Sequence, residues 1–162
     1  MIRVPRHVLD DMIAHAQEGW PEEICGLVGD VQGLPARAYR VKNIDEQPRI
    51  RYLLDPKEQL QAYQEIERRG SMYGIYHSHP ATQAEPSRTD RANALDADAP
   101  AGLQAIWPGA IYFIVSLRDR DHPEVRAWRI YEEANVEETV EAIDEPVSPP
   151  VTTSSAGTPT ST

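Results

Sequence analysis

The chain has 162 residues, of which 40% are apolar, and a net charge of −10, enough for one domain with one substantial core. No stretch reaches the roughly 18–20 consecutive apolar residues of a membrane span, and Met1-Ile2-Arg3-Val4-Pro5 lacks the apolar run and small-residue cleavage site of a secretory signal. The acidic balance argues against nucleic-acid binding, and a lone cysteine, Cys25, excludes an internal disulfide framework and a zinc site built of cysteines alone, so the expectation is a soluble cytoplasmic protein.

In chain order, Val4, Val8, Leu9, Met12, Ile13 and Ala16 share one helical face, with Pro5 in the first turn and Gly19 at the end. Glu23 to Val28 reads as a short buried strand closing at a Gly29-Asp30 turn, and strands are expected over Ala36–Lys42 and Arg49–Leu54. Asp55-Pro56-Lys57-Glu58 is a helix start, with Asp55 as cap, Pro56 in the first turn and Glu58 closing a capping box. Leu60, Tyr63 and Ile66 form that helix's apolar stripe, and Gly70 ends it.

Met72 to His79 is extended, and Ala110 to Leu117 is apolar throughout, as a central strand covered on both faces would be. Between them Ser87-Arg88-Thr89-Asp90 is a second capping-box pattern opening a short helix to about Leu95. Residues 96–106 have the small, flexible composition of an exposed loop. Asp119 to Pro123 reads as a hairpin turn into a strand over Val125–Tyr131. Residues 132–145 carry seven acids and no base, which reads as a solvated acidic face. Residues 146–162 carry no charge, and thirteen of the seventeen are Pro, Ser or Thr. A disordered tail is expected there, leaving a folded domain over 1–145. The element order predicts an α+β fold around a central mixed or antiparallel sheet.

Chemistry concentrates in His77-Ser78-His79-Pro80 and Ser87-Arg88-Thr89-Asp90. Residues two apart in a strand face the same way, so His77 and His79 project together and can share one ion at the ~2.0–2.1 Å of Zn–N bonds. Asp90, held in the first turn of a helix, is the best candidate for a third ligand. Two histidines, a carboxylate and one open position describe a catalytic zinc site. Ser87 and Asp90 also make sense simply as cap and capping-box partner, and the two roles can coexist. Cys25 reads as a buried small residue and not a nucleophile, since no cysteine–histidine dyad can be argued. His7, His15 and His122 are isolated and read as exposed.

With Glu23, His77-Ser78-His79-Pro80, Ser87 and Asp90, the sequence resembles the JAMM (MPN+) zinc metalloprotease family. That motif is a distant glutamate, then His-x-His-Pro, six residues, Ser, two residues and Asp. The likeness runs from Pro5 to about Tyr131 and includes Pro21-Glu22-Glu23-Ile24-Cys25-Gly26-Leu27 and Tyr52-Leu53-Leu54-Asp55-Pro56-Lys57-Glu58. It implies an MPN-type α+β domain with one Zn2+ held by His77, His79 and Asp90. It implies further that Glu23 takes and delivers the proton, as the residue two before Cys25, and that Ser87 hydrogen-bonds the oxyanion.

The short layout resembles the bacterial members, above all those that release cysteine from the end of a small ubiquitin-like sulfur-carrier protein. The implied partner is therefore a ubiquitin-like β-grasp carrier or its conjugate. Two other expectations stay open: a peptidase or isopeptidase acting on ubiquitin-like precursors or conjugates, and a metal-free interaction scaffold. Loss of a ligand would mark the scaffold, and none is missing.

Overall fold

A computed structural model describes residues 1–95 and 107–144. The expectations for 96–106 and for the tail after 145 lie outside the described residues. Along the chain run β1 (Ile2–Pro5), α1 (Arg6–Gly19), β2 (Cys25–Val31), β3 (Leu34–Val41), α2 (Pro56–Arg69), β4 (Ser71–His79) and α3 (Arg88–Leu95). Then follow β5 (Ile111–Ser116), β6 (Glu124–Ile130), β7 (Asn135–Glu138) and β8 (Val140–Ile143). Six strands form one sheet in the order β3-β2-β4-β5-β6-β7, and β1 pairs with β8 in a separate parallel ribbon. All neighbours in the large sheet are antiparallel except β4 and β5. The α+β class with a mixed sheet is as expected.

The sheet divides two apolar layers. Against one face α1 lays Val8, Met12 and Ala16 on Val28, Tyr76, Phe113 and Val115. The other face gathers Cys25, Leu27, Tyr52, Leu54, Ile66, Ile75, Tyr112 and Ile114. β5 is buried at every position, as its apolar run predicts for a strand covered on both sides. No helix among the described residues is long and apolar enough to cross a membrane.

Several local expectations are corrected. Ile2–Pro5 is a strand and not the first turn of α1, since Pro5 stands before the helix in an extended conformation. β2 runs through Gly29 and Asp30 to Val31, and the chain reverses at Gln32 and Gly33, both with positive φ. Arg49–Leu54 forms no strand: a single bridge, Asn43 to Leu54, is its only ladder contact among the described residues. Asn43 organises the segment instead, donating to the carbonyls of Glu23 and Arg51 and accepting from the N–H groups of Asp45 and Leu53.

Asp55 caps α2 as predicted, accepting from the N–H groups of Lys57 and Glu58. The capping box is not closed, because the Glu58 carboxylate instead accepts the N–H of Lys42, the residue that follows β3. Ala62 and Ile66 are the buried positions of α2, whereas Leu60 is exposed. The acidic stretch 132–145 is not merely a solvated face. It supplies β7 and β8, with Glu137 paired to Arg126 and Glu138 to Arg129 across neighbouring strands.

Candidate metal centre

β2 and β4 run antiparallel with Cys25 opposite His77. The pairing continues one step beyond β2, since Ser78 donates its N–H to the carbonyl of Ile24 at 3.0 Å and accepts the Ile24 N–H on Oγ at 2.9 Å. This register sets Glu23 beside His79, with both on the sheet face that carries Cys25 and His77. The backbone of Glu23 is held on both sides: its N–H donates to the Pro48 carbonyl at 2.7 Å and its carbonyl accepts from Asn43.

Asp90 arrives from the first turn of α3, where the capping box forms reciprocally. The Ser87 N–H donates to Asp90 Oδ2 at 2.8 Å, and the Asp90 N–H donates to Ser87 Oγ at 3.1 Å. The cap therefore fixes the carboxylate as well as the helix. Its oxygens lie 3.3 Å from His77 Nε2 and 3.1 Å from His79 Nε2, and the two Nε2 atoms are 3.1 Å apart. Glu23, His77, His79 and Asp90 are all buried and can each bring one ligand atom within 4.8 Å of the others.

These edges fit an ion. Ligands ~2.0–2.1 Å from a tetrahedral centre lie roughly 3.3–3.4 Å from each other, close to the triangle of His77, His79 and Asp90. The proton inventory agrees. His79 Nδ1 lies 2.8 Å from the Gln83 carbonyl, which can only accept, so the proton sits on Nδ1 and the Nε2 lone pair faces the cluster. Glu23 Oε1 is buried with no hydrogen-bond partner, the state of a group shaped for something besides protein neighbours. The residues present fit a metal.

Burial pushes the Glu23 carboxyl up to about 8, only partly opposed by the His79 charge. Burial also depresses His77, against the pull of Asp90. For His79 burial works the same way, but the Asp90 carboxylate and the Gln83 carbonyl outweigh it and raise the imidazole. Desolvation would raise Asp90 too, yet the two imidazoles overcome it and hold the carboxylate far below its ordinary range. Both ring orientations are supported from outside: Tyr52 stacks on His77 with centroids 4.4 Å apart, and the Gln83 carbonyl anchors His79.

Ser87 is exposed and lines a groove that also reaches His79. Its Oγ accepts from the Asp90 N–H, so its own O–H is left to point elsewhere. Cys25 is buried, donates weakly to the Val41 carbonyl, and has its thiol pushed above the ordinary range by burial, as expected for an unreactive core thiol.

His15 departs from the expectation. It is half-buried, bonded through Nδ1 to the Tyr76 hydroxyl at 2.8 Å, and lowered to about 4 by desolvation. His7, also half-buried, bonds the Ala36 carbonyl, while His122 is exposed as expected. Residue type alone does not single out Tyr52, Asn43 or the Gln83 carbonyl. Only the β-forming run around Tyr52 hints at a buried role.

Residues 5–131 match the family described as prokaryotic homologs of the JAB domain. The CysO-cysteine peptidase of Mycobacterium tuberculosis is 35% identical over 141 residues, covering 85% of this chain and 88% of its own length. The desampylase of Haloferax volcanii is 38% identical over 114 residues, 66% of this chain and 74% of that protein. Among solved structures, protein DSY2949 from Desulfitobacterium hafniense superposes with a TM-score of 0.73 at 32% identity, covering 90% of this chain and 94% of that one. The chain belongs to the family of prokaryotic JAB-domain homologs and is a hydrolase of the JAMM type.

Proposed function

We propose that this chain is a zinc-dependent hydrolase that cleaves the amide bond after the C-terminal Gly-Gly of a small ubiquitin-like sulfur-carrier protein and releases cysteine. The observation that carries this reading is the buried cluster of Glu23, His77, His79 and Asp90. Likeness to a CysO-cysteine peptidase over 85% of the chain supports the substrate class. His77, His79 and Asp90 would hold the ion, which when bound contributes Lewis-acid polarisation of a carbonyl and acidifies water.

Glu23 is the proton carrier. Its Oε1 is buried without a partner, and a carboxylate whose proton affinity is raised by burial can take a proton during attack and deliver it to the leaving amine. Ser87 offers its hydroxyl to the developing oxyanion. A preorganised donor of that kind contributes on the order of 2.7–4 kcal/mol. Asp90 both completes the ligand set and caps α3, so the ligand costs little additional ordering.

A second reading, cleavage of ubiquitin-like modifiers from protein conjugates, is favoured by the 38% identity to a desampylase. Mass spectrometry of candidate substrates separates the two. On a carrier ending Gly-Gly-Cys, the proposed activity yields a carrier ending Gly-Gly and free cysteine. Separation of an ε-linked conjugate with the carrier–cysteine adduct left intact would overturn it. Metal analysis of the purified protein should find about one zinc per chain, and a chain without metal would support the interaction scaffold instead.

A further inference from the structure

The groove beside the metal centre carries a charge that the hydrolysis as described does not use. At the end of β5, Leu117 donates its N–H to the His79 carbonyl at 3.0 Å, so the chain that follows is fixed relative to that histidine. Ser116 Oγ donates to the Thr82 carbonyl at 2.6 Å and accepts the N–H of Arg118 at 3.2 Å. One buried hydroxyl thus ties Arg118 to the loop running from His79 to Ser87. Arg118, which is exposed, lines a groove of about 410 Å³ together with His79, Gln83, Glu85 and Ser87.

Among the described residues the Arg118 guanidinium makes no hydrogen bond and no ion pair. Three other arginines of the neighbouring strands and turn are committed: Arg126 to Glu137 and Glu85, Arg129 to Glu138, and Arg120 over the ring of Trp20 at 3.9 Å. Glu85, the carboxylate in the groove, is already held by Arg126 at 3.0 Å. The groove therefore presents an uncommitted cation on a braced backbone, beside a candidate ligand and the candidate oxyanion donor.

We propose that Arg118 is a specificity residue that binds the α-carboxylate of a single terminal amino acid on the leaving side of the cleaved amide. This rests on the proposed cleavage after a carrier's Gly-Gly. In such a substrate the carboxylate is one carbon from the leaving nitrogen, so it must lie close to the reacting centre. A guanidinium presents paired N–H donors that match two carboxylate oxygens, and its charge never titrates away in the working range. An ε-linked conjugate places a protein chain at this position and leaves the guanidinium unmatched. The site accordingly favours release of a free amino acid over separation of joined proteins.

The test uses the full-length, zinc-loaded protein with two substrates: a ubiquitin-like carrier ending Gly-Gly-Cys with its free carboxylate, and the same carrier ending in the cysteine carboxamide. The wild type should prefer the carboxylate form by about 10- to 100-fold in kcat/KM, the range of one charged hydrogen-bonded contact, expressed mainly in KM. Arg118→Gln should bring the ratio of the two substrates to about one, and Arg118→Lys should retain part of the preference. Equal cleavage of both forms by the wild type, or a loss in Arg118→Gln that falls on both in proportion, would overturn the assignment while leaving the carrier–cysteine reading intact. A wild type inert toward both forms but active on an ε-linked conjugate would overturn that reading and the arginine site together.

Discussion

Glu23 marks the limit of what a single residue discloses through its sequence neighbours. Its place two before Cys25 matches a motif, but nothing local says that its carboxyl is buried, unpartnered and beside His79. That comes from the β2–β4 register. Glu23→Gln should keep zinc and lose nearly all turnover, because an amide cannot accept the proton. Metal content and a turnover assay check this, and more than about a tenth of wild-type activity would contradict it.

The same residue predicts a pH dependence in chelator-treated protein. A carboxyl raised to about 8 by burial binds its proton more tightly folded than unfolded. Its contribution is complete below the ordinary carboxylate range and is lost as pH rises through about 8. The slope is at most about 1.4 kcal/mol per pH unit. His77 and His79 shift in opposite senses, so the clean quantity is a difference between variant and wild type. In urea unfolding at pH 5 and pH 8, Glu23→Gln should gain stability relative to wild type at the higher pH. A constant difference would contradict the burial argument.

At the scale of elements, the runs with one dominant signal are legible in the sequence. The apolar stretch of β5, the Asp55 cap of α2 and the reciprocal Ser87–Asp90 cap of α3 are all present. Elements that depend on distant partners are not. Arg49–Leu54 has β-forming residues but is organised by the Asn43 side chain, and β7 and β8 are acidic strands, with the β7 charges answered by Arg126 and Arg129 on β6. Composition shows the acids and not the strand opposite.

Gly26 gives the element-scale prediction. A Cβ there would come within 2.3 Å of both the Tyr39 carbonyl oxygen and the Tyr76 ring. Neither is the free end of a flexible chain. One is the backbone of β3, and the other is a buried ring on β4 bonded to His15. Gly26→Ala should therefore cost about 1–3 kcal/mol. It should also weaken zinc binding, because β2 is the strand that sets Glu23 and its β4 partner at register. Urea unfolding and metal titration would measure the two effects, and an unchanged midpoint would show that the three strands separate without cost.

Over the whole molecule, the ends of the folded chain close on each other. β1 pairs with β8 in parallel from Ile2–Val140 to Pro5–Ile143. The ribbon lies against the α1 layer, where Ile2 and Val4 are buried and Val140 packs against them. Among the described residues three ion pairs join the two ends, Met1 to Glu138, Arg3 to Glu141 and Arg6 to Asp144, and Arg129 on β6 also holds Glu138. Most of these side chains are solvent-exposed, so each contributes between nothing and about 1 kcal/mol. The larger effect is the unpairing of a buried strand, since removing β8 strips the backbone groups of β1 of their partners and uncovers Ile2 and Val4. The uncharged Pro/Ser/Thr-rich residues 146–162 have no composition for a packed contact. We therefore propose the folded domain to be residues 1–145, and two truncations test that boundary. Ending the chain at Glu145 should leave the melting temperature and turnover unchanged within error. Ending it at Thr139 should lower the melting temperature by several degrees, about what a loss of 1–2 kcal/mol produces in a domain of this size. It should leave metal binding intact, because the candidate ligands stand on β4 and α3. A fall in melting temperature already at Glu145 would show that the tail packs on the domain, and equal stability at Thr139 would show that the ribbon holds nothing.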